Sequence, residues 1–213
     1  MKNHEDSWKN KKVFEAQLAL NEKELDAYPF HWQCLLKGMS FLKSGPTRQE
    51  PKSFLDLGCG CGVFSKLVKR HFPTIEYKGL DYADEAIEVA SKRWGIRGLK
   101  WEVKSYKDLS EEDLNFDILH AGAMLDVLPN ADEALKHLCE LGFTNLIFGR
   151  MKLIEEDSRV ETYEAYDLIT TYAFYHKQSF VHETLQKNGY NYVVLGYPDN
   201  ATIVASKQEL ILD

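Results

Sequence analysis

The stretch Asp56-Leu57-Gly58-Cys59-Gly60-Cys61-Gly62 sets three glycines at alternate positions behind one carboxylate. Glycines let a chain turn sharply and let a ligand reach the backbone with no Cβ in the way. Where such a turn opens a helix, it also aims N–H groups at that ligand. Asp81, in Gly79-Leu80-Asp81-Tyr82-Ala83, is the second informative residue. A carboxylate there can accept two hydrogen bonds from a ribose diol. Tyr82 beside it can stack on a base. His120 and Asp126, in His120-Ala-Gly-Ala-Met-Leu-Asp126-Val-Leu-Pro129, are the residues that could move a proton near neutral pH. Each has a plainer reading: His120 packed or bonded to a carbonyl, Asp126 a solvated loop acid or helix cap.

These residues need elements to place them, and the apolar pattern supplies them. Ser53-Phe-Leu-Asp-Leu is a short strand entering the glycine turn, and Val63, Phe64, Leu67 and Val68 mark the helix leaving it. Tyr77 to Asp81 reads as a second strand, followed by a helix through Ala86, Ile87, Ala90 and Trp94. Leu99 to Lys104, Phe116 to Ala121 and Asn145 to Met151 read as three more strands. Ser110-Glu-Glu-Asp resembles a capping box, and Ala134, Leu135, Leu138 and Leu141 form a helical stripe. Strands separated by single helices predict right-handed crossovers and a mostly parallel sheet covered on both faces. A last helix through Phe180 and Leu185 ends at Asn188-Gly189. Tyr192-Val-Val-Leu and Thr202-Ile-Val-Ala then form an antiparallel hairpin, because the link between them is too short for a crossover.

Before the glycine turn, residues 8–43 read as helical, with Pro29 breaking the stretch that carries Val13, Phe14, Leu18 and Leu25. Trp32, Leu35, Leu36, Met39 and Leu42 give the second piece an apolar face. Ser44 to Lys52, polar and with two prolines, is the linker candidate. The expected layout is one domain over 1–213, with a helical cap at 1–43 and a core at 50–207.

The chain has 213 residues and a formal charge of −7. An acidic chain is a poor partner for nucleic acid or an anionic membrane. No stretch has the run of about 20 apolar residues that a membrane span needs. Met1 to Trp8 has no apolar signal-peptide core. Cys59 and Cys61 stand two apart, which is neither zinc-knuckle nor redox-pair spacing. Reduced thiols in a cytoplasmic protein, and no metal site, are the expectation.

A dinucleotide site needs glycines at the first, third and sixth positions of the turn. Here these are Gly58, Gly60 and Val63, so the third requirement fails. The order acid-x-Gly-x-Gly-x-Gly, followed by Asp81, instead resembles class I S-adenosylmethionine-dependent methyltransferases over about residues 50–207. The resemblance implies a Rossmann-like α/β/α sandwich with a seven-stranded sheet in the order 3-2-1-4-5-7-6, strand seven antiparallel. It implies S-adenosylmethionine as cofactor. Asp56 would favour its amino group, directly or through water, Gly58, Cys59 and Gly60 would leave room for it with N–H groups near its carboxylate, and Asp81 would hold the ribose. Tyr82, Ser105 and Tyr106 would surround the adenine, and the end of the fourth strand at Ala121 would pass the methionine part.

On the acceptor side, His120 and Asp126 are the catalytic candidates. Tyr163, Tyr166, Tyr172, Phe174, Tyr175 and His176, preceded by Arg150 and Lys152, could line a pocket or lid, or form one amphipathic helix. Phe30-His31-Trp32 could touch the acceptor or simply pack. The expected activity is methyl transfer to a small molecule. A protein or RNA methyltransferase and a non-catalytic S-adenosylmethionine-binding protein are the alternatives. Acceptor identity and oligomeric state are not legible in the sequence.

Overall fold

The computed structural model describes residues 7–43, 50–95 and 98–210. Two helices come first, α1 (Lys11–Glu24) and α2 (Phe30–Lys43). Pro29 separates them, and its carbonyl accepts the Trp32 and Gln33 N–H groups as α2 begins. Trp32, Leu35, Met39 and Leu42 are buried along one face of α2, as their spacing predicts. The linker candidate lies mostly outside the described residues.

Strands and helices then alternate: β1 (Ser53–Leu57), α3 (Val63–His71), β2 (Glu76–Asp81), α4 (Asp84–Trp94), β3 (Leu99–Val103), α5 (Glu111–Leu114), β4 (Ile118–Gly122), α6 (Ala131–Glu140) and β5 (Asn145–Ile154). The expected alternation is present. β3, β2, β1, β4 and β5 are parallel neighbours in that order. Buried on both faces, the central strands are nearly continuous apolar runs. In α4, Asp84 and Glu85 open the helix and Lys92 and Arg93 close it, each sign facing the favourable end of the helix dipole. At α5 the Ser110 N–H donates to Asp113 at 2.9 Å. Asp113, fully buried, also ties down Lys78 and Lys104 at 2.6 and 2.8 Å.

The chain after β5 differs from the helix considered for the aromatic run. Residues 159–177 form a hairpin, β6 (Arg159–Ala165) and β7 (Ile169–Lys177). Burial alternates along Ile169 to Ala173, a period of two rather than 3.6, and Thr170 and Thr171 suit a strand. The end of β7 joins the far end of β5 in parallel. Then come α7 (Gln178–Lys187), β8 (Asn191–Leu195) and β9 (Ala201–Ser206). β9 runs antiparallel between β5 and β8. The order 3-2-1-4-5-7-6 is therefore present, its sixth and seventh strands being β8 and β9. The sheet holds nine strands rather than seven, because the β6–β7 hairpin is added at β5.

Val13 of α1 packs with Ala165 and Ile169 at the hairpin tip, joined by Trp8 and Tyr166. The Trp8 indole N–H also donates to Thr171 at 3.0 Å. Two elements far apart in the chain thus meet across the C-terminal edge of the sheet.

Candidate active site

β1 runs into Gly58, Gly60 and Gly62, whose φ angles of 67°, 52° and 78° are left-handed. A Cβ on Gly60 would lie 2.5 Å from the Gln17 Oε1, and one on Gly58 would lie 3.0 Å from Met124. The turn is therefore glycine-dependent by conformation and by space.

The amides of residues 59–62 are already bonded within the protein. The Cys59 N–H donates to the Leu80 carbonyl at 2.9 Å, and the Gly62 N–H to the Cys59 carbonyl at 2.9 Å. The Gly60 N–H donates to Asp81 Oδ2 at 2.9 Å, and the Cys61 N–H to Gln17 Oε1 at 2.8 Å. The expectation that Gly60 offers its N–H to a cofactor carboxylate is corrected: Asp81 holds it. Asp81 is 6% exposed. Its Oδ1 accepts the Ala83 N–H at 3.0 Å. The Tyr82 N–H bonds to it as well. A carboxylate has about four acceptor sites, so about one remains for a ligand. Burial pushes the Asp81 carboxyl up to about 6, against the downward pull of these backbone N–H bonds.

A cleft of about 770 Å³ opens along this edge. One wall carries Gly58, Gly60, Asp81, Tyr82, Ser105 and Tyr106, so the structure brings these six predicted residues together. The cleft is also lined by Phe14, Gln17 and Leu20 of α1, Arg150 of β5, and Tyr163 and Tyr166 of the hairpin. A smaller chamber of about 100 Å³ shares Gln17, Gly58, Arg150 and Tyr166 and reaches His31 and His120. Burial, then the charge of Arg150, brings the His31 imidazole down to about 4, so it is neutral at pH 7.

Asp56, Ala121 and Asp126 line neither chamber, and Cys59 and His120 line only the smaller one. Asp56 is 1% exposed and already committed: it accepts the Tyr77 hydroxyl and stands 2.7 Å from His120 Nδ1. The cause is register. Asp56 of β1 pairs with His120 of β4, so both side chains leave the sheet on the same face. Direct contact between Asp56 and a cofactor amino group is thereby corrected. Ala121 is wholly buried in the core, and its neighbours Gly122 and Ala123 reach the cleft instead. Asp126, 1% exposed, sits behind Arg150 and Lys152, each 3.7 Å from its Oδ2. His120 and Asp126 are not brought together at the main cleft as an acid–base pair.

Gln17 is a cleft residue that the helical stripe of α1 signals only indirectly. It falls, with Asn21, at the apolar spacing set by Val13, Phe14 and Leu18, where a polar residue is out of place. Both reach the turn, Asn21 Nδ2 donating to the Cys61 sulfur at 3.3 Å. Met124 carries no comparable signal.

The wall of small residues, ionised-capable Asp81 and two tyrosines suits a nucleoside ligand, with an aromatic space in the same cleft for a second molecule. Comparison with known proteins agrees. A family described as "Methyltransferase domain" matches residues 54–141. The chain is 26% identical over 193 residues to a malonyl-[acyl-carrier protein] O-methyltransferase of Methylococcus capsulatus, covering 84% of this chain and 66% of that one. It is 31% identical over 87 residues to a ubiquinone/menaquinone biosynthesis C-methyltransferase UbiE of Desulfotalea psychrophila, covering 41% and 34%. The chain spans from 34% to 66% of the length of these curated relatives. Among solved structures, magnesium protoporphyrin IX methyltransferase (ChlM) from Synechocystis PCC 6803 with bound SAH has the same fold. Its TM-score is 0.59 at 15% identity, with 84% of each chain covered.

Proposed function

Because the chain carries a class I S-adenosylmethionine-dependent methyltransferase domain, whose methyl donor is S-adenosylmethionine, we propose that it methylates a small-molecule acceptor seated between α1 and the β6–β7 hairpin. The observation that carries this reading is one cleft lined both by the glycine turn with Asp81, which suits the donor, and by Phe14, Tyr163 and Tyr166, which suit an acceptor. The donor supplies an electrophilic methyl group on a positively charged sulfur.

The residues here have three tasks. Asp81 accepts a ribose hydroxyl, while Tyr82, Ser105 and Tyr106 enclose the adenine. Gly58 and Gly60 keep the wall low, since a side chain at either would fill the space. Phe14, Leu20, Tyr163 and Tyr166 exclude water and hold the acceptor in line, which is the main requirement when the leaving group is already good. A base is needed only for an acceptor that arrives protonated. His120, reached from the smaller chamber, is the candidate; its Nδ1 faces Asp56 at 2.7 Å, which orients the ring.

The relatives' names favour small or carrier-borne acceptors. The net charge of −7 speaks against an RNA substrate. No helix among the described residues is long and apolar enough to cross a membrane. Four buried free cysteines suit a reducing cytoplasm.

Calorimetry with S-adenosylmethionine, S-adenosylhomocysteine and NAD tests the donor side. Binding of the first two without NAD is expected. NAD binding in their place overturns the assignment. A screen for methyl transfer onto metabolites then tests the acceptor class. Activity confined to protein or RNA substrates overturns the small-molecule reading.

A further inference from the structure

One cation in the cleft has no task in the reading above. Arg150 lines both chambers. Its φ is 61°, and it lies where the pairing of β5 with β9 slips between Phe148 and Met151. Such irregularities re-aim a side chain, and a non-glycine residue held at positive φ persists only when its surroundings enforce it. Ala123 and Tyr166, with φ of 62° and 55°, stand at the same two chambers. The unusual backbone is thus gathered around the cleft.

Among the described residues the Arg150 guanidinium makes no hydrogen bond. Its nearest acid is Asp126, whose Oδ2 is 3.7 Å from Nη2, beyond hydrogen-bond range. Asp126 is 1% exposed and both its oxygens lack hydrogen-bond partners, with Lys152 Nζ also 3.7 Å away. Asp126 therefore holds Arg150 by charge from behind and leaves the guanidinium fork for the cleft. The side chain is 39% exposed, open to a ligand yet flanked by Tyr163 and Tyr166. Glu24 and the neutral His31 face the smaller chamber beside it.

We propose that Arg150 anchors a carboxylate on the acceptor, while Tyr163 and Tyr166 flank the acceptor's apolar part. The proposal rests on the methyl-transfer reading and narrows its substrate to carboxylate-bearing molecules. A planar two-oxygen anion matches the guanidinium fork. Arg150 and Lys152 are balanced by Asp126 and Glu24, so the site tolerates the single charge of a monoanion better than the double charge of a dianion.

The test is calorimetry on the full chain saturated with S-adenosylhomocysteine, using benzoate, phenylacetate, benzamide and phenyl phosphate as probes. Benzoate or phenylacetate should bind about tenfold or more tightly than benzamide. Arg150→Gln should abolish that preference with S-adenosylhomocysteine affinity kept within about threefold, and Arg150→Lys should retain part of it, since it keeps the charge and loses the fork. Equal binding of benzoate and benzamide, no carboxylate binding, or stronger binding of phenyl phosphate overturns the proposal. So does a loss of S-adenosylhomocysteine affinity in Arg150→Gln that Arg150→Lys restores, which would assign the guanidinium to the donor's own carboxylate. The comparison of probes on the unaltered protein decides the matter even where a variant fails to fold. Failure of that protein to bind S-adenosylhomocysteine at all is a separate result, which defeats the donor assignment.

Discussion

Asp81 shows how one residue does two jobs. It shapes the glycine turn through the Gly60 N–H and keeps acceptor capacity for a ligand. Asp81→Ala should weaken S-adenosylhomocysteine binding by about 1–3 kcal/mol, read by calorimetry. The ionised form is the better acceptor for a ribose hydroxyl, and its carboxyl titrates at about 6 rather than 3.8. Affinity should therefore be full well above pH 6 and fall as pH drops through it. For the stability of the unliganded chain the sign is opposite: a raised carboxyl contributes stability below its unfolded value, lost as pH rises through about 6. Gly60→Val meets both a φ of 52° and the Gln17 side chain, so donor binding should vanish. His120 behaves differently. Its partner Asp56 is buried, so His120→Ala should cost about 1–3 kcal/mol of stability, since Asp56 Oδ1 then loses its partner and only the Tyr77 hydroxyl on Oδ2 is left. Intact melting temperature with lost turnover would instead make His120 the base.

Among the elements, the β6–β7 hairpin is what the sequence hid. Its turn places Tyr166 and Asp167 both at φ 55°, with the Leu168 N–H closing onto the Ala165 carbonyl at 3.0 Å. Hairpins prefer Asn-Gly at such a pair, and Tyr-Asp announces nothing. β6 is an exposed edge strand studded with charge, so it shows no clean alternation either. Asp167→Gly should relieve strain and raise stability by roughly 0.5–1 kcal/mol, a rise in melting temperature of about 1–4 °C. Donor affinity should not change, because Asp167 lies off the cleft wall. By contrast β1, β2, β4 and β9 were legible from short apolar segments between turn residues, because strands buried on both faces favour apolar side chains and keep only a few paired polar ones.

For the molecule as a whole, α1 and the hairpin tip close over one edge of the sheet and convert an open crevice into a cleft. The surface ion pairs of α1, Lys11 with Glu88 and Arg93 with Glu22, contribute little by themselves. The apolar contact of Val13 with Ala165 and Ile169 is the firmer tie. A ligand that bridges these parts stabilises them together: S-adenosylhomocysteine at about 100 times its Kd should add about 2.7 kcal/mol. That raises the melting temperature by roughly 5–11 °C, and NAD should leave it unmoved. The sequence by itself determined the alternating sheet, the donor turn and Asp81, because glycine conformation and strand burial are local demands written into neighbouring residues. Only the tertiary structure decided that Asp56 turns to His120, that Gln17 caps the turn and that Arg150 faces the cleft behind Asp126. Those outcomes depend on strand register and on contacts between residues distant in the chain, which no local pattern encodes.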